Sequence, residues 1–406
     1  MNKISEQIEL ILQQAEASRG ITPERLLLGS NNVPPANRAD VALQLSLRSK
    51  LKQKLPDWAA LPCYIPSKLA LEQCSSQDIA RYKQRFVRPQ DIVADLTAGL
   101  GVDYWALSSA SEQKSYYIEK QADLVEAARY NIPKLCSKDQ TFIESQAEQQ
   151  LLPLVEKGVN LFYIDPARRA GTNGGQQYFR KYGIEDCRPN LLELIPSLPP
   201  NANIRLLAKL SPMLDISDTI NKLEGIAELH ILAQRNEVKE LLALIEIGSS
   251  HPKNRLPIFV VDVANEMKFS FTMEQETHSK LSVSGTPGHY IHIPHPALMK
   301  AGCFALLSER FEIWQLHVNS HIYSSDHLVE GFLGRSFRVE SIFPYHRKEI
   351  KTLQKRLSAA NISCRNFPLS TANLRAKLNL KEANEPHLIA TTLADESLAL
   401  LLCQEI

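Results

Sequence analysis

Several common signatures are missing from this chain of 406 residues. No apolar run approaches the roughly 18 residues that span a bilayer; residues 241–245 are typical of the longest. The opening Met1-Asn2-Lys3-Ile4-Ser5-Glu6 lacks the apolar core of a secretory signal, so a cytoplasmic protein with no membrane partner is expected. The seven cysteines are scattered, odd in number and never spaced C-x-x-C, which argues against a disulfide framework or a cysteine-rich zinc site. Glycine is scarce, at 16 residues, which excludes collagen-like and low-complexity chains. No charge dominates either: 46 Lys and Arg face 45 Asp and Glu, and the resulting +1 excludes a uniformly basic protein. What is present is globular composition, 44 % hydrophobic, with length for two or three domains.

Residues 1–88 carry helical patterning. Ile4, Ile8 and Ile11 form a stripe at i, i+4 and i+7. Gly20 ends that helix, and Thr22-Pro23-Glu24 starts another. Residues 41–55 are helical again, and Ser75-Ser76-Gln77-Asp78 predicts a capped helix running to about Phe86. From Asp91 the texture changes. Strands are expected at 91–96, 114–119, 141–144, 161–165 and 204–209, alternating with helices such as 122–130. That is a βαβ series and implies a largely parallel sheet. Residues 227–233 and 238–246, separated by Gln234-Arg235-Asn236-Glu237, predict an antiparallel pair that closes the sheet near residue 250. Beyond it, strands are expected at 258–263, 269–273 and 280–283, with a helix near 296–307. A last α+β module follows, with strands at 337–342, 362–367, 387–391 and 398–403 and helices at 347–359 and 371–378.

Open α/β sheets bind ligands at the carboxyl ends of their strands, where the strand order reverses. Three features fall at such ends. Residues 95–103, Asp-Leu-Thr-Ala-Gly-Leu-Gly-Val-Asp, follow the first strand; their small side chains admit a ligand to the backbone, and the next helix presents free N–H groups. A G-x-G-x-x-G fingerprint would need glycine where Tyr104 stands, and a P-loop would need Gly-Lys-Ser/Thr, so the loop suits a nucleoside without a pyrophosphate. Glu119 ends the second strand, where a carboxylate can accept from both ribose hydroxyls. Asp165-Pro166-Ala167-Arg168-Arg169 ends the fourth, and Pro166 biases Asp165 toward extended geometry.

In this order the three resemble motif I, the ribose-binding acid and motif IV of the class I S-adenosylmethionine-dependent methyltransferases. Five further strings resemble a bacterial family of such enzymes with a C-terminal THUMP-like domain: Gln73-Cys74-Ser75-Ser76, Asp165-Pro166-Ala167-Arg168-Arg169, Lys209-Leu210-Ser211-Pro212-Met213, Asn236-Glu237-Val238-Lys239-Glu240 and Arg365-Asn366-Phe367-Pro368-Leu369. The resemblance implies an α/β fold: a helical region at 1–88, a Rossmann-like class I methyltransferase sheet at 89–250, connecting strands and a ferredoxin-like segment at 251–333, and a THUMP-like α+β domain at 334–406. It implies S-adenosyl-L-methionine as cofactor, with Asp95, Thr97, Gly99 and Gly101 at its methionine end and Asp103 near its amino group. Glu119 would bind the ribose, and Gln146 and Ala147 would flank the adenine. An acid is common where Gln146 stands, but a glutamine can also hydrogen-bond the adenine amine. THUMP domains generally belong to RNA-modifying enzymes, so the resemblance implies methylation of a base in structured RNA, rRNA or tRNA.

Methyl transfer to an activated sulfonium needs alignment and exclusion of water. For an exocyclic amine, Asp165 and the carbonyl after it would accept the hydrogens and aim the lone pair. Amine-methylating enzymes usually follow that Asp with Pro-Pro and an aromatic, whereas this chain has Pro166-Ala167-Arg168. Tyr178, Phe179, Arg180 and Lys181 are then the candidate substrate contacts, and Arg168 a candidate phosphate ligand. Each of these motifs also has a plainer reading. Arg168 and Arg169 could pair with Glu185 or Asp186; the Lys209 string could be a packed strand end; Asn236, Glu237, Lys239 and Glu240 could be a solvated turn; Ser75 and Ser76 could cap a helix. His289, His292 and His295 lie i and i+3 apart on an extended segment and face opposite sides, so no metal site is expected.

The near-zero net charge conceals a segregation. Residues 334–381 hold eleven Lys and Arg against Glu340 and Glu349, a local charge of +9 that leaves −8 on the other 358 residues. Phe337, Phe343, Tyr345 and Phe367 are interleaved there, and Arg365 and Arg375 are candidate RNA contacts. Such a face suits phosphates and predicts steep salt dependence. The alternatives are methylation of a small molecule or protein, and a non-catalytic RNA-binding or assembly factor with a relic pocket.

Overall fold

The computed structural model describes residues 3–29, 33–168 and 183–406. Two compact units emerge, the first of Met1–Leu232 with Lys239–Lys253, the second of Ala233–Val238 with Asn254–Ile406.

The first unit opens with helices Lys3–Ala17, Pro23–Leu27 and Arg38–Lys54. Thr22 caps the second through the Arg25 N–H. Ile11 packs with Leu26 and Val41 in a small core, while Ile4, at the frayed end of the stripe, stays exposed. Further along, Leu47, Leu51, Leu55 and Trp58 pack with Tyr104 and Trp105 of helix Val102–Ala110 and with Ile132 of helix Ala122–Leu135. Tyr117 joins the same cluster.

The strands of this unit are β1 (Val93–Asp95), β2 (Ser115–Glu119), β3 (Gln140–Glu144), β4 (Leu161–Ile164), the short ribbon β5 (Ala167–Arg168) and β6 (Cys187–Arg188), β7 (Arg205–Leu210), β8 (Ile226–Gln234) and β9 (Glu237–Glu246). They order as β3-β2-β1-β4-β7-β9-β8, with β5 paired only to β6. The pairs from β3 to β7 are parallel, and β9 runs antiparallel to β7. Strand order reverses between β1 and β4, so the loops after Asp95 and Ile164 open a crevice at the carboxyl edge.

The second unit holds an antiparallel pair, β10 (Pro257–Asp262) and β11 (Met267–Thr272). A seven-stranded sheet follows, of β12 (Tyr290–Pro294), β13 (Trp314–Gln315), β14 (Tyr323–Ser325), β15 (Gly334–Pro344), β16 (Ala359–Arg365), β17 (Lys381–Thr392) and β18 (Leu398–Glu405), ordered β13-β14-β12-β15-β18-β17-β16. The ferredoxin-like and THUMP-like segments thus share one sheet, joined by the β12–β15 ladder. Three expectations need correction. Residues 280–283 make no strand, only a single bridge from Val283 to Gln315. The helix near 296–307 is two helices, Pro296–Ala301 and Phe304–Arg310, because Gly302 takes φ 71° and ends the first in the left-handed region. Phe337 and Phe343 are buried in the two cores of this unit and offer no ring to a ligand. No described helix is long and apolar enough to cross a membrane.

Candidate active site

The crevice is built from strand ends. Asp95 closes β1 fully buried; its Oδ1 accepts from the Thr97 N–H at 3.0 Å, while its Oδ2 has no partner among the described residues. Burial, reinforced by the negative Asp103 and Asp165, pushes the Asp95 carboxyl well above its usual range. Thr97 Oγ1 accepts from the Asp165 N–H at 2.7 Å and so ties the loop after β1 to the end of β4. Gly101 starts helix Val102–Ala110 at φ 89°, and a Cβ there would stand 3.0 Å from Ile132 Cδ1, so both conformation and packing demand glycine. Gly99 takes φ 55°, and a Cβ there would meet only ordinary contact, 3.9 Å from the Thr97 carbonyl oxygen.

Glu119 closes β2 and organises the neighbouring turns. Its Oε2 accepts from the Gly99 N–H at 3.0 Å, and its Oε1 from the Lys120 and Gln121 N–H groups at 2.8 and 3.0 Å. A carboxylate has about four lone-pair sites, so acceptor capacity remains. Gln146 is exposed at the N-cap of helix Ala147–Glu156, with Ala147 buried behind it.

Behind the loop lies a charge network that sequence patterning did not assemble. Lys83, with no exposed side-chain surface, donates to Asp103 Oδ1 at 2.7 Å, Tyr163 Oη at 3.0 Å and Ser75 Oγ at 3.1 Å. Ser75 and Tyr163 in turn donate to Asp103 Oδ2 at 2.8 and 2.9 Å. Glu240 Oε1 lies 3.0 Å from Lys83 Nζ and shares that ammonium with Asp103, Tyr163 and Ser75. The two acids diverge accordingly. Burial raises Asp103, yet Lys83 and Lys209 outweigh it and hold the group below its usual range. For Glu240 burial prevails over the same two lysines and leaves it raised. At the mouth, Lys209 Nζ donates to Asp165 Oδ2 at 2.6 Å.

These contacts settle several open readings. Ser75 is a network member; Ser76 holds the N-cap position of helix Gln77–Lys83 without a side-chain cap bond, contrary to the expected capping. Glu240 is 2 % exposed, so the solvated-turn reading fails for it, though Glu237 is exposed. Lys209 is tied to Asp165 rather than serving only as a strand end. Of the carboxylates weighed for Arg168 and Arg169, Glu185 pairs with Lys222 at 3.1 Å. The backbone of Arg168 lies in β5, while Arg169, Tyr178, Phe179, Arg180 and Lys181 fall outside the described residues. Signals for the missed members existed: Ile79, Ala80 and Lys83 share one buried helix face, and Glu240 heads a continuous apolar run in a central strand.

In the second unit the basic residues divide. Arg335 makes a bidentate pair with Glu405 at 2.6 and 2.7 Å, and Arg375 donates to the carbonyls of Ala360 and Lys381, both at 2.9 Å. Arg365 is half-buried, and burial lowers its pKa. Arg347, Lys348, Lys351 and Lys355 of helix Arg347–Arg356 are exposed. The three histidines separate as their spacing predicts: His292 is buried between Ser325 and Ser336, His295 bonds Asp262 at 3.0 Å, and His289 is exposed.

Comparison with known proteins identifies the family and the modules. Residues 334–405 match the THUMP domain-like family, residues 290–332 a ferredoxin-like domain, and residues 4–47 an "N-terminal domain in putative methyltransferase". The chain is 38 % identical to the solved structure of a "putative methyltransferase" from Porphyromonas gingivalis W83, covering 98 % of both chains with a TM-score of 0.88. An rRNA methylase from Streptococcus thermophilus (14 % identity, 43 % of this chain and 95 % of that one, TM-score 0.30) overlaps far less. So does a class I S-adenosylmethionine-dependent methyltransferase, so described with the same qualifier, from Listeria monocytogenes (12 % identity, 64 % and 93 %, TM-score 0.37). Overlaps that slight carry no weight. No curated protein matches. The strand order and the likeness to the P. gingivalis structure give a Rossmann-like class I methyltransferase fold. The chain belongs to the methyltransferase family of the P. gingivalis protein, which carries ferredoxin-like and THUMP-like modules at the C-terminal end.

Proposed function

We propose that this protein transfers a methyl group from S-adenosyl-L-methionine to structured RNA. The observation that carries the reading is the loop after Asp95, which the Asp95 and Glu119 carboxylates and the Asp165 backbone N–H all bond, with a buried Asp95 oxygen left without a partner among the described residues. The residues suit the cofactor: Glu119 retains acceptor capacity for the ribose hydroxyls, Gly99 takes a left-handed φ with no side chain to block the loop, and Gln146 is exposed at the adenine position. Asp95, Thr97, Gly99 and Gly101 would line the methionine end. Asp103 would act at one remove, since both its oxygens are held by Lys83, Ser75 and Tyr163. When bound, S-adenosylmethionine supplies an activated methyl; Asp165, 39 % exposed, orients the nucleophile. Support for RNA comes from the THUMP-like domain and from the exposed Arg347, Lys348, Lys351 and Lys355.

The test is incubation with methyl-labelled cofactor and, separately, total RNA, ribosomal subunits, protein extract and metabolites. Label in RNA is expected. Label confined to protein or small molecules overturns the RNA substrate, and no transfer at all makes the pocket a relic.

A further inference from the structure

The oxygen placed to face the nucleophile is already shared with a cation. Lys209 Nζ stands 2.6 Å from Asp165 Oδ2, and this pair is the accessible end of the network: the Asp165 and Lys209 side chains are 39 % and 16 % exposed, against 0 % and 3 % for Lys83 and Glu240 behind them. A substrate atom reaching Asp165 therefore also meets an ammonium. Burial works against the charge on Lys209, but Asp165, Glu240 and Asp103 outweigh it and hold the group protonated far above its usual range. Its place beside the Asp165 carboxylate, 2.6 Å away, makes Lys209 a hydrogen-bond donor at the mouth of the crevice.

That arrangement discriminates between acceptor atoms. An exocyclic base amine has only N–H donors to offer besides its attacking lone pair, and its nitrogen gains positive charge as the methyl arrives. An ammonium at hydrogen-bond range has nothing to donate to and opposes that charge. A hydroxyl is the complementary partner: it donates its hydrogen to a carboxylate, accepts from an ammonium, and gains negative character as it loses its proton. The residues after Asp165 agree, since Pro166 and Ala167 are followed by Arg168 where a stacking aromatic would serve a base.

We propose that the methyl acceptor is a ribose 2′-hydroxyl of RNA, with Asp165 receiving its proton and Lys209 donating to its oxygen. The O–C bond forms as the C–S bond breaks, the sulfonium leaves as a neutral thioether, and the hydroxyl proton passes to the Asp165 carboxylate and then to water. Lys83 and Glu240 are positioning residues, the one anchoring Asp103 and the other adding negative charge that keeps Lys209 protonated. This inference rests on the RNA reading above and replaces the base amine with a sugar oxygen.

The experiment treats RNA with the full chain and labelled cofactor, then digests the product with alkali and with nucleases. The expected label resists alkali as dinucleotides and appears in nucleosides whose base fragment carries no added methyl. Label on the base overturns the hydroxyl while leaving RNA methylation standing; no label in RNA overturns both. Asp165→Asn supplies an independent arm, because an amide can accept a hydrogen bond but cannot hold a proton. It should lower kcat by roughly 10²- to 10⁴-fold, while S-adenosylhomocysteine affinity by calorimetry stays within about threefold. A variant that keeps its rate within about tenfold of the parent overturns the proton-accepting role.

Discussion

Replacing Lys83 by methionine tests the buried network most severely. The substitution keeps the side-chain length but removes the one cation that, among the described residues, lies within 4 Å of both Asp103 and Glu240, which are 8 % and 2 % exposed. Breaking a buried pair from one side costs about 3–5 kcal/mol, because the remaining charge is left uncompensated. For a unit of this size that corresponds to a fall in Tm of about 6–20 °C. Part of the penalty is relieved if Glu240 takes up a proton. Its pKa is already raised by burial, and loss of Lys83 raises it further. A raised acid contributes stability that is present at low pH and lost as pH rises through its folded pKa. The penalty should therefore be largest near pH 8 and shrink as pH falls toward the ordinary glutamate value of about 4.3. Adding Glu240→Gln should recover about 1–3 kcal/mol at neutral pH by removing one orphaned charge. Scanning calorimetry of the full chain across pH measures all three effects. A loss below about 1 kcal/mol, or one that does not vary with pH, would refute the reasoning.

Other outcomes follow from the same contacts. Asp95→Asn should raise thermal stability at pH 7, since it removes a buried charge, and the gain should fade as pH falls toward about 3.9, where the native carboxyl is protonated; melting curves at several pH values decide it. Gly101→Ala should cost about 1–3 kcal/mol from the left-handed φ and the contact with Ile132, read by denaturant titration. Replacing Arg347, Lys351 and Lys355 together by alanine should weaken RNA binding and flatten the salt slope by about 2–3, measured by anisotropy at several salt concentrations.

Which parts were legible in the sequence follows from the range of the forces involved. Asp95, Glu119 and Asp165 declared themselves because each ends a short apolar strand, and strand ends in a parallel sheet gather at one edge by topology alone. The break at Gly302 was written in the chain, but the apolar spacing on either side of it masked a C-cap glycine. Residues 280–283 alternate well enough for a strand, yet local propensity does not supply a partner, and only one bridge forms. The Lys83–Asp103–Glu240 network was not assembled from the sequence for a different reason. Its members lie 20 and 137 positions apart. A lysine near the end of a short helix and a glutamate beside a turn both look solvated until tertiary packing brings them together. In the basic segment, composition predicted charge but not which residues stay available: Arg335 and Arg375 are spent on internal partners, while the helix Arg347–Arg356 keeps its cations exposed.

The central claim is that the crevice between the ends of β1, β2 and β4 is a working cofactor site. Calorimetric titration of the full chain with S-adenosylmethionine addresses it directly. One molecule should bind per chain with micromolar affinity, and Glu119→Ala should weaken binding about 10- to 100-fold, as loss of hydrogen bonds to a charged acceptor implies. No binding heat from a folded protein, or an affinity unchanged by Glu119→Ala, would contradict it.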